Sequence, residues 1–164
     1  MIVLGIDPGS HATGYGIVAT GSSLRLLTSG VIRTRSRDPL PERLRTIHES
    51  IQGVLDGQAV DEMAVESLFN ARNARSALIL GHARGVILLA GALRFLPVAE
   101  YAPREIKSAL TGNGGASKEQ VRFMVCRYLG IRGEPPALDE SDALAVALCH
   151  ATRGQNPQLR QAGR

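Results

Sequence analysis

The chain has 164 residues, 19 Lys plus Arg against 15 Asp plus Glu, 44% hydrophobic residues and two cysteines. A chain of this size buries roughly 70% of its unfolded surface, which excludes a disordered protein or a small disulfide scaffold and indicates one self-sufficient domain. The net charge of +4 suits an acidic partner such as nucleic acid, and the longest apolar stretch, Gly85 to Leu93, is too short to span a membrane.

Ile2 to Ile6 reads as a buried strand that stops at Asp7-Pro8-Gly9, because proline cannot donate to a ladder and glycine permits a turn. Tyr15 to Ala19 and Leu24 to Thr34 follow as strands joined through the small residues at 21–23, so the chain opens with three antiparallel strands. Pro41 to Leu55 places Leu44, Ile47, His48, Ile51, Val54 and Leu55 at helical spacing. Asp61 to Glu66 is a fourth strand ending in a carboxylate. A long helix is predicted from Asn70 to about Phe95, with Gly81 and Gly85 on one face; two such glycines imply a close neighbour there.

Val98 to Tyr101 is a fifth strand, and Pro103 to Leu110 a short helix leading into a flexible glycine loop, Thr111 to Ala116. Ser117 with Gln120 forms a capping box for a helix to about Leu129, and Pro135-Pro136 opens a last helix ending near Thr152. Residues 153–164 form a polar, basic tail expected to be disordered. The expected fold is an α/β domain over residues 1–152: a five-stranded mixed sheet flanked by helices. Cys126 and Cys149 lie among apolar neighbours without metal-ligand spacing and read as reduced, packed thiols. With no basic segment before the first apolar run, a cytoplasmic protein is expected.

Asp7 and Glu66 each end an apolar strand, while Asp139 and Asp142 share a face at the start of the last helix. If the two strands are neighbours, their acids converge at one sheet edge. Such a cluster suits hard divalent cations, and two ions about 3.5–4 Å apart can clamp the attacking and leaving oxygens of phosphodiester cleavage. Singly, each acid has another reading: Asp7 as a turn residue, Asp139 and Asp142 as a helix cap and its first-turn partner. Glu140 is adjacent but points elsewhere.

Three segments together, Gly5-Ile6-Asp7-Pro8-Gly9-Ser10 with Thr13-Gly14-Tyr15-Gly16, Ala64-Val65-Glu66, and Asp139-Glu140-Ser141-Asp142-Ala143-Leu144-Ala145, resemble the RuvC family of bacterial Holliday junction resolvases, within the RNase H-like superfamily. The resemblance covers residues 1 to about 152. It implies an RNase H-like fold and a homodimeric endonuclease that resolves four-way DNA junctions, with Asp7, Glu66, Asp139 and Asp142 holding magnesium, two ions per site, manganese being a substitute. It also implies the branch-migration proteins RuvA and RuvB as partners. Two rivals stand beside it: a non-catalytic junction-binding module, and an RNase H-like nuclease acting on another nucleic acid.

The chain has 17 arginines but only two lysines, Lys107 and Lys118, which flank the glycine loop. They are either solvated helix residues or compact point charges for a phosphate or a developing oxyanion; the resemblance gives them a role in DNA binding and catalysis. Phe69 is either a hydrophobic staple for the following helix or, as the resemblance implies, a ring that stacks on an unpaired base. Arg72, Asn73, Arg75 and Arg104 would suit a phosphate track. Gly81 and Gly85 would pack the long helix onto its own sheet or, by resemblance, onto a second copy. His11, His48, His82 and His150 receive no role.

Overall fold

Period-two alternation in the early strands divides the chain between two cores. The computed structural model describes residues 1–67 and 73–154. Five strands, β1 (Ile2–Asp7), β2 (Ala12–Ala19), β3 (Arg25–Arg33), β4 (Glu62–Glu66) and β5 (Val98–Tyr101), form one sheet in the order β3-β2-β1-β4-β5. The first three are antiparallel, and β4 and β5 run parallel to β1. Five helices cover it: α1 (Leu40–Asp56), α2 (Ala74–Ala92), α3 (Pro103–Thr111), α4 (Lys118–Leu129) and α5 (Leu138–Gly154).

Leu4, Ile6, Ile17, Met63 and Val65 point to one face and pack with α1 and α2. Val3, Val18, Ala64 and Tyr101 point to the other and pack with α3, α4 and α5. The same alternation carries Asp7, Glu62 and Glu66 to the α5 side. Both cysteines are free, Cys149 buried and Cys126 half-buried, as reduced packed thiols should be.

Helix α5 lies against the sheet's main chain. A methyl group on Gly5 would run into the Ala143 carbonyl oxygen and the Ala147 amide, one on Gly14 into the Asp139 carbonyl, and one on Gly16 into the Leu144 side chain. Gly5 and Gly16 face each other in register, so two strands share one shallow trough for the helix. That close approach is why glycine occupies these strand positions despite its poor strand propensity.

Several sequence expectations need correction. β2 begins at Ala12, before Tyr15, because the turn after Asp7 is short and tightly bonded. α2 begins at Ala74, not Asn70: Asn73 is extended, and its side chain accepts from the Ser76 N–H at 2.9 Å, so the cap lies three residues later. α2 also ends at Ala92, and Phe95 turns the chain with φ at 55°. Gly81 and Gly85 meet no neighbour among the described residues; a close contact is instead at Gly91, against Met63 and Val98 of the sheet. Pro135 and Pro136 precede α5, which starts at Leu138, and their carbonyls accept from Arg122. The glycine loop is closed by local bonds: Thr111 and Asn113 pair reciprocally, and the Asn113 side chain accepts from Gly115 N–H at 2.8 Å.

Candidate active site

Parallel pairing of β1 with β4, with Ile6 opposite Val65, brings the next residues, Asp7 and Glu66, side by side at the same edge of the sheet. The chain after Asp7 is fixed from three directions. Thr13, fully buried, donates to the Gly9 carbonyl at 2.6 Å and accepts weakly from the Gly9 N–H at 3.3 Å. The Ser10 carbonyl accepts from the Thr34 hydroxyl at 2.7 Å and from the Arg43 guanidinium at 2.5 and 3.2 Å. Arg43 is only 7% exposed. An arginine in an amphipathic helix ordinarily reads as a surface residue, so the sequence carries no signal for this anchor.

The cleft at this edge has a volume of about 250 Å³ and is lined by Asp7, Glu66, Lys107, Lys118 and Asp142, with Pro103, Ile106, Val121 and Ala145 as its apolar wall. Five separate elements supply it. β1 and β4 give the strand-end acids, α3 gives Lys107, and the capping box at Ser117 and Gln120 sets the start of α4 so that Lys118 stands at the rim. α5, seated in its glycine trough, delivers Asp142 one turn from its start. Asp139 is half-buried at the first turn of α5 and does not line the cleft; its carbonyl sits over Gly14. Glu140 turns away, as expected, and accepts from the Ser29 hydroxyl at 3.2 Å.

Crowding of acids dominates the electrostatics. Burial pushes the Asp7 carboxyl up to about 9, reinforced by its hydrogen bond to Glu66 and by repulsion from Glu66 and Asp142. Burial also raises Glu66, against the lowering effect of the Asp7 hydrogen bond and of both lysines. The two neighbouring carboxyls therefore take up a proton more readily than solvated acids do. Lys118 donates to Asp142 Oδ2 at 2.6 Å, and this bond holds its ammonium above the usual lysine range.

Oxygen-only donors, half-buried and mutually repelling, are the chemistry a hard divalent cation relieves, so the residues present fit such an ion. Among the described residues no three candidate ligands already form a closed metal cage. Asp142 is engaged by the Lys118 ammonium, which supplies the local positive charge. The arrangement combines anionic donors for a cation with cationic groups for a phosphate at one rim.

Of the basic candidates, Lys107 and Lys118 reach the cleft. Arg75 and Asn73 are exposed at the start of α2, and Arg104 is exposed at the start of α3, with its carbonyl close to Gly114 of the glycine loop. Phe69 and Arg72 lie outside the described residues, as do Asn70 and the tail beyond Gly154. Pro103, Ile106, Val121 and Ala145 were missed as cleft residues, because a small apolar side chain beside a site is indistinguishable in sequence from core.

The chain is similar over most of its length to proteins of known family. A family model described as crossover junction endodeoxyribonuclease RuvC matches residues 3–150. The crossover junction endodeoxyribonuclease RuvC of Methylococcus capsulatus is 53% identical over 148 residues, covering 90% of this chain and 88% of its own length. The protein of the same name from Desulforamulus reducens is 47% identical over 152 residues, covering 92% and 93%. Among solved structures, RuvC of T. thermophilus in complex with a Holliday junction substrate superposes with a TM-score of 0.89 at 39% identity, over 94% of this chain and 95% of that one. The yeast mitochondrial Holliday junction resolvase shares the fold, with a TM-score of 0.63 at 14% identity over 98% of this chain and 83% of that one.

Proposed function

Because this chain belongs to the RuvC family of crossover junction endodeoxyribonucleases, it is a Holliday junction resolvase, and we propose that its cleft cuts the junction with divalent metal ions held by Asp7, Glu66 and Asp142, with Asp139 reaching them from outside the cleft's lining, one turn before Asp142. The observation that carries this reading is the convergence of three acids and two lysines from five elements in one cleft. We take the ions to be magnesium, two per site, with manganese as a substitute. When bound, such ions activate a water for in-line attack and stabilise the leaving oxygen.

The chain's own residues have separable tasks in this reading. Asp7, which feels the charge of both Glu66 and Asp142, would lose its raised proton on taking up a cation and serve as a ligand beside them. Lys118, at the rim, moves its ammonium from Asp142 to the scissile phosphate, and Lys107 offsets charge on the opposite wall. The apolar wall keeps bulk water from the acids and so strengthens each of these interactions. Phe69 stacks on a base exposed by the open junction, and Arg72, Asn73, Arg75 and Arg104 contact backbone phosphates.

A junction has two strands to cut, so a homodimer that nicks them symmetrically suits the substrate. The outer stripe of α2, where Leu78 and Leu89 are 66% and 52% exposed and Gly81 and Gly85 are open, supports that helix as the contact between copies. No described helix is long and apolar enough to cross a membrane. We place the protein in the cytoplasm, working with the branch-migration proteins RuvA and RuvB.

A cleavage panel of four-way junction, linear duplex and RNA–DNA hybrid, each with magnesium and with EDTA, tests the reading. Magnesium-dependent cutting confined to the junction, leaving 5′-phosphate and 3′-hydroxyl ends, is expected. Cutting in EDTA overturns the metal assignment. Preference for the hybrid marks a different nuclease, and binding without cutting marks a junction-binding module.

A further inference from the structure

A buried polar chain occupies the end of α5 remote from its carboxylates. His150 is 8% exposed, and both ring nitrogens are engaged: Nδ1 lies 2.8 Å from the Tyr101 hydroxyl and Nε2 lies 2.6 Å from Glu62 Oε2. Burial pushes the Tyr101 hydroxyl up to about 12, so the phenol keeps its proton and is a neutral hydrogen-bond partner for Nδ1. On the other side of the ring, Nε2–H donates to the Glu62 carboxylate.

Each member of this chain belongs to an element that supplies the cleft or flanks it. Tyr101 pairs in register with Glu66, and its carbonyl accepts from the Ser67 N–H at 2.8 Å, directly after Glu66. Glu62 begins the strand that Glu66 ends. His150 shares α5 with Asp142. The network extends to α3, because the Arg153 guanidinium lies 5.2 Å from the Tyr101 ring centroid and 3.0 Å from Glu105 Oε1. Glu105 Oε2 in turn accepts from the Ala102 N–H at 2.8 Å, capping the helix that carries Lys107.

Apart from the Ser29–Glu140 bond to β3 at its other end, α5 meets the sheet elsewhere through alanines, leucines and the glycine trough. Such contacts resist separation but are non-directional, so they oppose sliding weakly. A helix advances 1.5 Å per residue, whereas metal–ligand distances tolerate about 0.2 Å, so even a small slide would disturb the acids. We propose that Glu62, His150 and Tyr101 form a positioning clamp that fixes the axial setting of α5 against β4 and β5, and with it the placement of Asp142 relative to Asp7 and Glu66. This inference rests on the metal reading of the acid cluster.

The test is direct manganese binding by the full chain, followed through the electron paramagnetic resonance signal of the free ion, with melting temperature and four-way junction binding in EDTA measured beside it. Tyr101→Phe and Glu62→Ala should each weaken manganese binding about tenfold, the range for partners that orient metal ligands. Glu62→Gln should stay close to the parent, since its amide oxygen still accepts from Nε2–H. The double variant Tyr101→Phe/Glu62→Ala should lose less than the product of the two, because both act through His150. Junction binding in EDTA should not change.

Unchanged manganese affinity with a lowered melting temperature would make the chain a packing feature and overturn the clamp. So would equal losses in Glu62→Gln and Glu62→Ala, or losses that multiply independently. A parent protein that binds no manganese would overturn the metal reading and the clamp together, an outcome distinct from parent and variants binding alike.

Discussion

The two faces of the sheet are covered by opposite strategies. Against α1 and α2 the strands present large aliphatic side chains, Leu4, Ile6, Ile17 and Met63, and the helices stand off on a layer of side-chain volume. Against α5 they present Gly5, Gly14 and Gly16, and the helix rests on main chain. Side-chain layers tolerate repacking, because volume can be redistributed among rotamers. A helix seated on backbone has no such freedom in its distance from the sheet, and its setting along the sheet depends on the few directional bonds it makes. The acids lie on the second face, where small displacements matter most.

The largest expected effect tests whether the chemistry belongs to that face. Asp7→Asn keeps the shape of the strand end but removes a charged ligand, and a neutral amide holds magnesium poorly. Junction cleavage in magnesium should fall on the order of 10³-fold, the rate equivalent of the several kcal/mol a metal supplies, while junction binding in EDTA survives. Retained cleavage would remove Asp7 from the site.

The same residue gives the metal-free protein a pH dependence. Burial raises the Asp7 carboxyl from 3.8 to about 9, so the folded state binds this proton more tightly than the unfolded state. Its contribution to stability is complete below 3.8 and is lost as pH rises through about 9; Glu66, raised in the same direction, adds to the trend. Urea midpoints in EDTA should therefore fall from acidic to alkaline pH, and Asp7→Asn should flatten the curve. Saturating magnesium should oppose the fall, since the ion binds the deprotonated acids. A parent curve as flat as the variant's would mean that the acids are solvated.

These effects mark how far the sequence could be read. The strand-end acids were legible because each closes an apolar run before a turn signal, and the acid pair on α5 because helical spacing puts both on one face. Which of that pair enters the cleft was not legible, since it depends on how α5 is rotated over Gly14. Arg43 and the Tyr101–His150–Glu62 chain left no local trace: their partners are distant in sequence, and a lone histidine in an apolar helix looks the same with or without them. The start of α2 was misplaced because Asn70 and Asn73 are equally good caps by residue type. Only the bond to Ser76 separates them.

Glycine gives the smallest and sharpest comparison between the faces. Gly5→Ala puts a methyl group into the Ala143 carbonyl, and overpacking of this kind should cost about 1–3 kcal/mol and shift α5. Gly81 and Gly85 were expected to mark close packing as well, yet nothing among the described residues approaches either. In a lone chain, Gly81→Ala should therefore stabilise α2 by about 1 kcal/mol, the ordinary helix-propensity difference. If a second copy packs on that stripe, the added methyl group meets the partner and weakens the dimer instead. Melting temperature and sedimentation across a concentration series separate the two: the proposed α2 contact requires Gly81→Ala to raise stability when dilute and to lower dimer affinity when concentrated. A gain at every concentration with no change in association would leave α2 an exposed helix and move the dimer contact elsewhere.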